Sequence, residues 1–368
     1  GREEEISYLV GFCPVPLVES LRETAEKNGW VILIEDPLSD EPVPTLLRHS
    51  SWTGLFQPVM NFIGVTPGYG EFDTNGIFLI FFSIFFAMIM GDGGYGAVLL
   101  LGTFMVDRWY KQRSREMVRH FYLISVTTII WGAVTGLWFG VETLSHLPIL
   151  RDIIIPSLYS FARESGQAIM HLSIFIGAIQ LSIARIYGAI RQYPSLTLFA
   201  EAGWVFLIWG IYFIVRCLLL QDKLNTLVFV LLGFWAAMLI LFGEQRDDGF
   251  MKGILRGMAK SLLNILNGIG SFSDLISYIR LFAVGLATKE IAVAFNNMAG
   301  DVGFNDIVSV IVAVFILIFG HTINILLGAM SVLVHGIRLN LLEFSKNLSI
   351  QWSGIIYSPF IIKRSQEL

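Results

Sequence analysis

Residues 273–287 read Ser-Asp-Leu-Ile-Ser-Tyr-Ile-Arg-Leu-Phe-Ala-Val-Gly-Leu-Ala and surround one central charge, Arg280, with apolar residues. Between Asp274 and Lys289 the sequence contains no other charge. An arginine at the centre of a membrane helix costs roughly 2.5–3.5 kcal/mol even on the most lenient scale, so it normally faces protein or water and has a function. The stretch therefore predicts a membrane helix with a functional arginine. An arginine that pairs with a carboxylate elsewhere in the bundle is the alternative.

The composition extends this prediction to the whole chain. Of its 368 residues 55% are hydrophobic and 15% are charged, whereas soluble domains carry about 25% charged residues. Since about 20 apolar residues cross a bilayer, we predict an all-α polytopic membrane protein with eight transmembrane helices. The last two segments are too long for one perpendicular crossing and predict tilted helices. The eight segments are 76–90, 93–107, 120–140, 167–188, 198–219, 225–243, 261–297 and 304–345.

Residues 1–75 differ from the rest and predict a small soluble α/β domain followed by a linker. Ile6–Phe12 and Trp30–Glu35 have the composition of strands, and the helical spacing of Val18–Asn28 ends at Gly29. We assign 1–75 to the end of a cytosolic domain and 76–368 to the membrane domain. The chain begins at Gly1 without a signal-peptide pattern, and we expect it to be part of a longer protein.

The distribution of basic residues predicts that both termini are cytoplasmic. Cytoplasmic loops carry an excess of Lys and Arg, and eight crossings return the chain to the side where it started. The loops opposite hold only Arg151, Arg163 and Lys223. The basic residues on the predicted cytoplasmic side are Arg108, Lys111, Arg113, Arg115, Arg119, Arg191, Arg246, Lys252, Arg256, Lys260, Lys346, Lys363 and Arg364.

A second arginine, Arg338, lies on the last predicted helix. Asn324, Ser331, Arg338 and Ser345 recur every seven residues, and His335 is one turn from the arginine, which predicts a polar seam on an otherwise apolar helix. A surface that faces lipid would not carry such a seam. The alternative is that Arg338 reaches the cytoplasmic interface and extends its charge into water.

Six carboxylates lie in or at the ends of the predicted spans. In the predicted topology Asp274 is on the cytoplasmic side of Arg280 and Glu290 is on the far side. Acidic residues on both sides of a central cation are expected to line two separate aqueous routes, although each alone is also typical of a solvated helix end. Together with His335, the half-channel candidates are Asp92, Glu142, Glu201, Asp274, Glu290 and Glu343.

Other kinds of site are not expected. The glycine cluster at 91–96 lacks the Gly-Lys-Ser/Thr ending of a phosphate loop, so we predict no nucleotide-hydrolysing site on this chain. Cys13 and Cys217 are isolated and the histidines show no metal-ligand spacing, so we predict no metal and no cofactor. A net charge of −4 argues against a nucleic-acid partner.

Three stretches together resemble a known family. Residues 273–287, Met90-Gly-Asp-Gly-Gly-Tyr-Gly96 and His335-Gly-Ile-Arg-Leu-Asn-Leu-Leu-Glu-Phe-Ser345 are similar to motifs of the a (or I) subunit of V-type and A-type rotary ATPases. Phe360, in Tyr357-Ser-Pro-Phe360, suits the same family's C-terminus. The likeness covers essentially the whole chain, and residues 1–75 resemble the distal end of the family's cytosolic domain.

The resemblance implies a membrane stator subunit. Arg280 would be the stator arginine that faces the carboxylate of a rotating ring of c (proteolipid) subunits, and Arg338 would be the second arginine beside it. The other implied partners are peripheral-stalk and central-stalk subunits, reached through the cytosolic domain, and membrane lipid. A cation within about 4–6 Å lowers a carboxylate pKa by roughly 1–3 units, so the ring would release H⁺ or Na⁺ there, and the same cation would block leakage between two half-channels.

Two positions depart from the eukaryotic pattern. Thr288 stands eight residues after the first arginine, where eukaryotic members usually have histidine, and Gly328 stands ten residues before the second, where they have glutamate. With the short loops, this predicts a prokaryotic cell-membrane protein and leaves the half-channel residues open. Two other hypotheses are a secondary transporter that binds an anionic substrate at Arg280 and a purely structural membrane anchor. Internal repeats, typical of many transporters, are not evident.

Overall fold

The computed structural model describes residues 2–3, 6–38, 41–110, 114–220, 223, 225–245 and 249–359. Contacts divide the chain into two compact units, one formed by Gly1–Asn75 with the residues from Ile350 onward and the other by Gly76–Ser349. Seven residues named above lie outside the described part: Gly1, Lys111, Arg113, Arg246, Phe360, Lys363 and Arg364.

The first unit contains little regular structure. Strands β1 (Arg2–Glu3) and β2 (Ile6–Ser7) form a short antiparallel pair, and helices α1 (Val18–Asn28) and α2 (Gln57–Ile63) follow. Helix α1 has the predicted bounds and ends at Gly29, whose φ of 68° is in the left-handed region that glycine adopts readily.

The second predicted strand, Trp30–Glu35, is wrong in the described structure. It has no regular secondary structure, and Val31 and Leu33 are 100% and 83% exposed. A strand needs a neighbour that accepts and donates its backbone hydrogen bonds. None of the described residues supplies one, so the β-branched and apolar composition alone did not produce a strand.

The described C-terminal residues return to the linker of the first unit. The backbone of Thr45 donates to Ile355 O at 2.7 Å and accepts from Tyr357 N at 3.1 Å, and Gly354 N donates to Thr66 O at 3.1 Å. These bonds connect parts of the chain about 300 residues apart, which no local sequence pattern could indicate.

The second unit is helical. Each of the eight predicted segments overlaps a helix, although the helix in segment 120–140 ends at Thr135. Among the described residues, five helices are long and apolar enough to span a membrane, or six if the bent pair α3–α4 counts as one span. At 17 residues α10 is shorter, so the count of eight crossings stays a prediction. The helices are α3 (Asn75–Met90), α4 (Gly93–Trp109), α5 (Arg115–Thr135), α6 (Glu142–Ser145), α7 (Pro148–Arg151), α8 (Ser165–Gln192), α9 (Leu198–Leu220), α10 (Thr226–Phe242), α11 (Phe250–Ala259), α12 (Ser261–Ile276), α13 (Ile279–Val302), α14 (Ile307–Ser331) and α15 (Ser345–Leu348).

Helices α3 and α4 turn by 120° at Gly91–Asp92. Gly91 has a φ of 69°, and Asp92 caps α4 by accepting from Gly94 N and Tyr95 N. Gly132 of α5 lies so close that an added Cβ would be 2.1 Å from Gly93 N. Small residues thus let α5 pack directly against the bend, as close helix packing in membranes requires.

The last two spans are long, as predicted. Ser261–Val302 (α12 with α13) and Ile307–Leu348 (α14 to α15) each contain 42 residues. At 1.5 Å per residue each is about 63 Å long, roughly twice the thickness of the hydrocarbon core. The first is interrupted at Ser277–Tyr278, and the second contains two π-helical segments, Val332–Gly336 and Leu339–Phe344. Their tilt in a membrane stays a prediction.

Candidate functional site

The two arginines singled out in the sequence converge on one carboxylate. Arg280 Nη2 donates to Glu343 Oε1 at 2.9 Å, and Arg338 Nε lies 3.5 Å from the same oxygen. The Glu343 side chain is only 5% exposed, whereas those of Arg280 and Arg338 are 26% and 51% exposed. The carboxylate is therefore more buried than the two arginine side chains that contact it, and each arginine side chain remains partly exposed.

A break in the helix positions Arg280. Ser277 and Tyr278 interrupt the α-helical pattern, and the carbonyl of Ser277 accepts from both the backbone N–H of Arg280 at 3.3 Å and its Nε at 3.0 Å. This second bond holds the stem of the side chain next to its own backbone. The guanidinium is thus directed by one local bond and one long-range ion pair, and its remaining N–H groups are available to another acceptor.

The π-helical segment Leu339–Phe344 brings Glu343 to Arg338. Residues five apart on an α-helix are about 140° apart around the axis, since each residue turns by about 100°. In a π-helix, whose backbone hydrogen bonds run i→i+5, the turn is wider and residues five apart lie much closer together around the axis. Arg338 and Glu343 are five apart, so the wider turn permits their contact. Single π-turns inside α-helices are frequent at functional sites.

The same π segments disrupt the predicted polar seam. Asn324 and Ser345 are buried, Ser331 is half-buried, and Arg338 is exposed. A seven-residue spacing keeps to one face only while the helix has about 3.6 residues per turn. The seam is therefore wrong as a single face, because the helix changes pitch after Ser331. His335 lies on the first π segment, and its Nδ1 has no hydrogen-bond partner among the described residues.

A second charged cluster adjoins the arginine pair. Asp274 binds Lys346 Nζ at 3.0 Å and Asn347 Nδ2 at 3.3 Å, and the same amide group donates to the backbone carbonyl of Glu343 at 2.8 Å. Asn347 Oδ1 accepts from Arg185 Nε at 3.1 Å, so the cluster continues to α8.

Arg185 was missed by the sequence analysis, although it is a charge inside an apolar segment. Its Nη1 pairs with Glu201 at 3.2 Å, with side chains 14% and 18% exposed, and its guanidinium lies 4.7 Å from the Trp204 ring centroid. A buried ion pair of this kind is held by Coulomb attraction and by a cation–π contact. Arg185 is the one charged residue in the predicted segment 167–188, and this isolation could have identified it from the sequence.

A cavity of about 600 Å³ opens beside this cluster. One side is a stripe of polar residues on α12, and the other is the Arg185–Glu201 pair. The stripe, spaced at i, i+3 and i+7, continues toward Asp274 on the same helix face. Its members in the cavity are Asn264, Asn267 and Ser271.

A neutral polar network lies next to the arginine site. Tyr278 donates its hydroxyl proton to Gln180 Oε1 at 2.7 Å, and Gln180 Nε2 donates to Asn340 Oδ1 at 2.8 Å. All three side chains are buried. The Tyr278 ring occupies the space next to Gly177, where an added Cβ would be 2.4 Å away. This network ties α8 to the break before Arg280 and to the π segment beside it.

The Asp92 carboxylate is enclosed by backbone N–H groups and is not exposed to solvent. Its Oδ1 accepts from Gly94 N at 2.7 Å, Tyr95 N at 3.4 Å and Phe139 N at 2.8 Å, and its Oδ2 accepts from Gly140 N at 3.0 Å. The side chain is 1% exposed. One carboxylate therefore satisfies the start of α4 and the loop after α5 together.

Glu142 and Glu290 do not join the arginines. Glu142 is exposed at the start of α6, and Glu290 is 59% exposed and pairs with Lys289 at 3.1 Å. Of the carboxylates proposed from the sequence, the structure gathers Glu343 at the arginines and Asp274 and Glu201 in the adjoining cluster.

A further polar network, between α4, α13 and α14, was also missed. Tyr95 OH bonds to His321 Nδ1 at 2.8 Å and accepts from Asn324 Nδ2 at 2.8 Å, while His321 Nε2 lies 3.1 Å from Asn296 Oδ1. Asn324 also donates to Thr288 O at 2.8 Å. Only the three-dimensional packing joins these residues, which are up to 229 positions apart.

No group of three or more His, Cys, Asp or Glu residues with metal-binding geometry occurs in the described part of the chain. The site consists of arginines, carboxylates and amides. Such a set of donors and acceptors can bind a carboxylate group.

Comparisons with known proteins relate nearly the whole chain to one kind of protein. No family model matches the chain. It is 35% identical over 97% of its length to the V-type ATP synthase subunit I of Borreliella burgdorferi, covering 60% of that protein. It is 34% identical to V-type ATP synthase subunit I 1 of Treponema pallidum, covering 59% of it, and 25% identical to the A-type ATP synthase subunit I of Methanocaldococcus jannaschii, covering 56% of it. The chain thus spans a little over half the length of these relatives.

Proposed function

Because the chain is homologous over nearly its whole length to subunit I of V-type and A-type ATP synthases, we propose that it is the membrane part of such a subunit, the stator of an ion-translocating rotary machine. In this function Arg280 faces a carboxylate on a rotating ring of c subunits, with Arg338 beside it. The ring carboxylate belongs to other chains, as do the nucleotide sites. The ion is H⁺ or Na⁺.

The observation that carries the proposal is the partial exposure of two arginines around a buried carboxylate. The side chains of Arg280 and Arg338 are 26% and 51% exposed. They lie on spans whose other exposed residues are mostly apolar. A charge on such a surface requires an anionic partner or water. An arginine stays protonated under essentially all conditions, so it provides a permanent positive charge for a passing carboxylate.

One aqueous route is proposed to start at the 600 Å³ cavity. The polar stripe of α12 leads from the cavity to Asp274, which connects through Asn347 to the backbone of Glu343. In the predicted topology this end of α12 is cytoplasmic. Glu201 and Asp274 thus serve the cytoplasmic half-channel, and Lys346 balances their charge.

The second route is proposed to follow the network on the opposite side of Arg280 along α13. Thr288 is two turns beyond Arg280, and Asn324, Tyr95, His321 and Asn296 continue from it through direct hydrogen bonds. Since α13 runs outward in the predicted topology, this network leads to the non-cytoplasmic side. The two routes then meet only at the arginine, which repels a cation that moves directly between them.

The test is Arg280→Ala in the whole complex, with ATP-driven ion uptake measured in sealed vesicles. Two unit charges 4 Å apart interact by about 4 kcal/mol at an effective dielectric constant of about 20, which corresponds to roughly three orders of magnitude in rate. We expect uptake to fall by at least about a hundredfold while the complex still assembles.

Arg191→Ala is the matched control, because Arg191 is exposed in the last turn of α8. Its uptake should equal that of the unmodified complex. Normal uptake with Arg280→Ala would contradict the proposed function. Copurification distinguishes the proposed stator function from that of a secondary transporter, because a stator copurifies with ring and stalk subunits and a transporter does not.

A further inference from the structure

The arginine site carries its own anion. Glu343 accepts from Arg280 at 2.9 Å and lies 3.5 Å from Arg338, both through Oε1, while its buried Oε2 has no hydrogen-bond partner among the described residues. A carboxylate that is buried and only half satisfied costs free energy unless a nearby charge compensates for it. The two arginines provide that compensation, and the three residues together have a net charge of +1.

The geometry separates this internal pairing from binding of an external group. Glu343 approaches from the buried side, whereas Arg280 and Arg338 are exposed on the other. A guanidinium has five N–H donors arranged in a planar fork, and Arg280 uses Nε for Ser277 and Nη2 for Glu343. A second carboxylate can therefore reach the same guanidinium from the exposed side.

We propose that Glu343 is the permanent counter-ion of Arg280 and Arg338. It binds both arginines from the buried side and thereby weakens the binding of Arg280 to each carboxylate that arrives on a partner subunit. This inference rests on the proposed function of Arg280. Glu343 is a positioning residue: it touches the arginines and acts through them. Without it the site would carry +2, the two cations would repel each other, and an arriving carboxylate would be bound too tightly to leave quickly.

The π-helical register is part of this arrangement. The contact between Arg338 and Glu343 depends on Leu339–Phe344 being π-helical, because on a regular α-helix the two side chains would point about 140° apart. The segment is also held by Gln180, which donates to Asn340 at 2.8 Å. The fold thus maintains a π-helical turn where a carboxylate contacts both arginines.

The test is Glu343→Gln in the assembled complex, measured as the ion concentration that gives half-maximal ATP-driven uptake. An added net positive charge favours the ionised ring carboxylate over its ion-bound form, and opposite charges typically shift such equilibria by one pKa unit or more. We expect the half-saturating H⁺ or Na⁺ concentration to rise about tenfold. A purely structural defect would lower the maximal rate and leave this concentration unchanged.

Several other groups around the pair are charged or titratable, and they are unchanged in the variant. They are Tyr278 at the helix break, Asp274 of α12, His335 of the first π segment and Lys346 of α15. The measured shift can therefore be assigned to the loss of the Glu343 charge.

Glu116→Gln is the matched control, since Glu116 is exposed in the first turn of α5. Glu343→Asp keeps the charge and withdraws it by one methylene, so its half-saturating concentration should lie between those of the unmodified protein and Glu343→Gln. If Glu343→Gln does not assemble, Glu343→Asp alone decides. An unchanged half-saturating concentration in the assembled variant overturns this inference and leaves the role of Arg280 intact, which Arg280→Ala tests separately.

Discussion

Replacing Asp92 distinguishes a structural carboxylate from one that conducts ions. The residue was a half-channel candidate in the sequence, yet it accepts four backbone N–H groups, two from the start of α4 and two from the loop at Phe139 and Gly140. In Asp92→Asn one oxygen remains to accept from Gly94, Tyr95 and Phe139. The new amide NH₂ group then faces the N–H of Gly140, and two donors meet without an acceptor.

The magnitude follows from the number of bonds lost. A hydrogen bond to a charged group contributes roughly 1.5–3 kcal/mol, so Asp92→Asn should cost about 2 kcal/mol for Gly140 alone. In Asp92→Ala the three bonds of 2.7–3.0 Å are lost, which gives roughly 4.5–9 kcal/mol, comparable with the whole stability of a typical domain. We therefore expect Asp92→Asn to assemble with a midpoint of thermal unfolding lower by about 4–8 °C, and Asp92→Ala to assemble poorly.

The assay compares thermal unfolding of the purified complex, followed by tryptophan fluorescence, with ion uptake per assembled complex. Asp152→Asn is the control, because Asp152 is exposed at the end of α7. A structural role lowers the midpoint and leaves uptake per assembled complex near normal. If Asp92→Asn kept the normal midpoint but abolished uptake, the structural explanation of Asp92 would be refuted and the residue would return to the ion path.

Two further predictions concern packing and burial. Gly132→Ala places a Cβ 2.1 Å from Gly93 N, so we expect loss of assembly on a size-exclusion column, whereas Gly102→Ala on α4, with nothing within 4 Å of its Cβ, should assemble normally. Normal assembly of Gly132→Ala would show that the α4–α5 contact is looser than described. Glu201→Gln leaves Arg185 buried without its ion-pair partner and should lower stability by about 3–5 kcal/mol, measured by denaturant unfolding of the complex. Gln192→Ala removes one hydrogen bond of 3.2 Å to the Glu201 carboxylate and keeps the ion pair, so it should cost roughly 1.5 kcal/mol, the lower end for a bond to a charged group. Equal losses in the two variants would contradict the ion-pair explanation.

Both arginines could be selected as candidates from the sequence because a charge in an apolar segment is conspicuous. Arg280 and Arg338 are each isolated in runs of apolar residues, and the physical cost of burying them is independent of the fold. Their common partner could not be selected in this way. Glu343 was one of six candidate carboxylates, and its contact with Arg338 depends on a π-helical turn that local residue preferences do not reveal.

The alternative considered for Arg280, a carboxylate partner elsewhere in the bundle, is observed in the structure. Glu343 lies 63 residues away along the chain. The pairing and the proposed role are compatible, because Glu343 occupies the buried side of a guanidinium whose side chain is 26% exposed. Sequence reasoning treated the two as exclusive since it had no information on which side each partner would approach.

The neutral hydrogen-bond networks were even harder to predict from the sequence than the charged contacts. Gln180, Tyr278 and Asn340 carry no charge, and each alone is unremarkable on a membrane helix. Tyr95, His321 and Asn296 come from three helices, and His321 was set aside because it lacks metal-ligand spacing. Such residues can be recognised only when packing has brought their donors and acceptors together.

The sequence by itself determined that this is a helical membrane protein, where its long apolar helices lie to within several residues, and which residues carry isolated charges. These properties follow from the transfer of side chains and backbone out of water, which each segment experiences locally. The tertiary structure decided that Glu343 serves both arginines, that Asp92 clamps a loop, and that Trp30–Glu35 has no strand partner. Those outcomes depend on helix packing, on the pitch of one π-helical turn and on contacts between distant residues, and none of these is encoded in the local pattern of the chain.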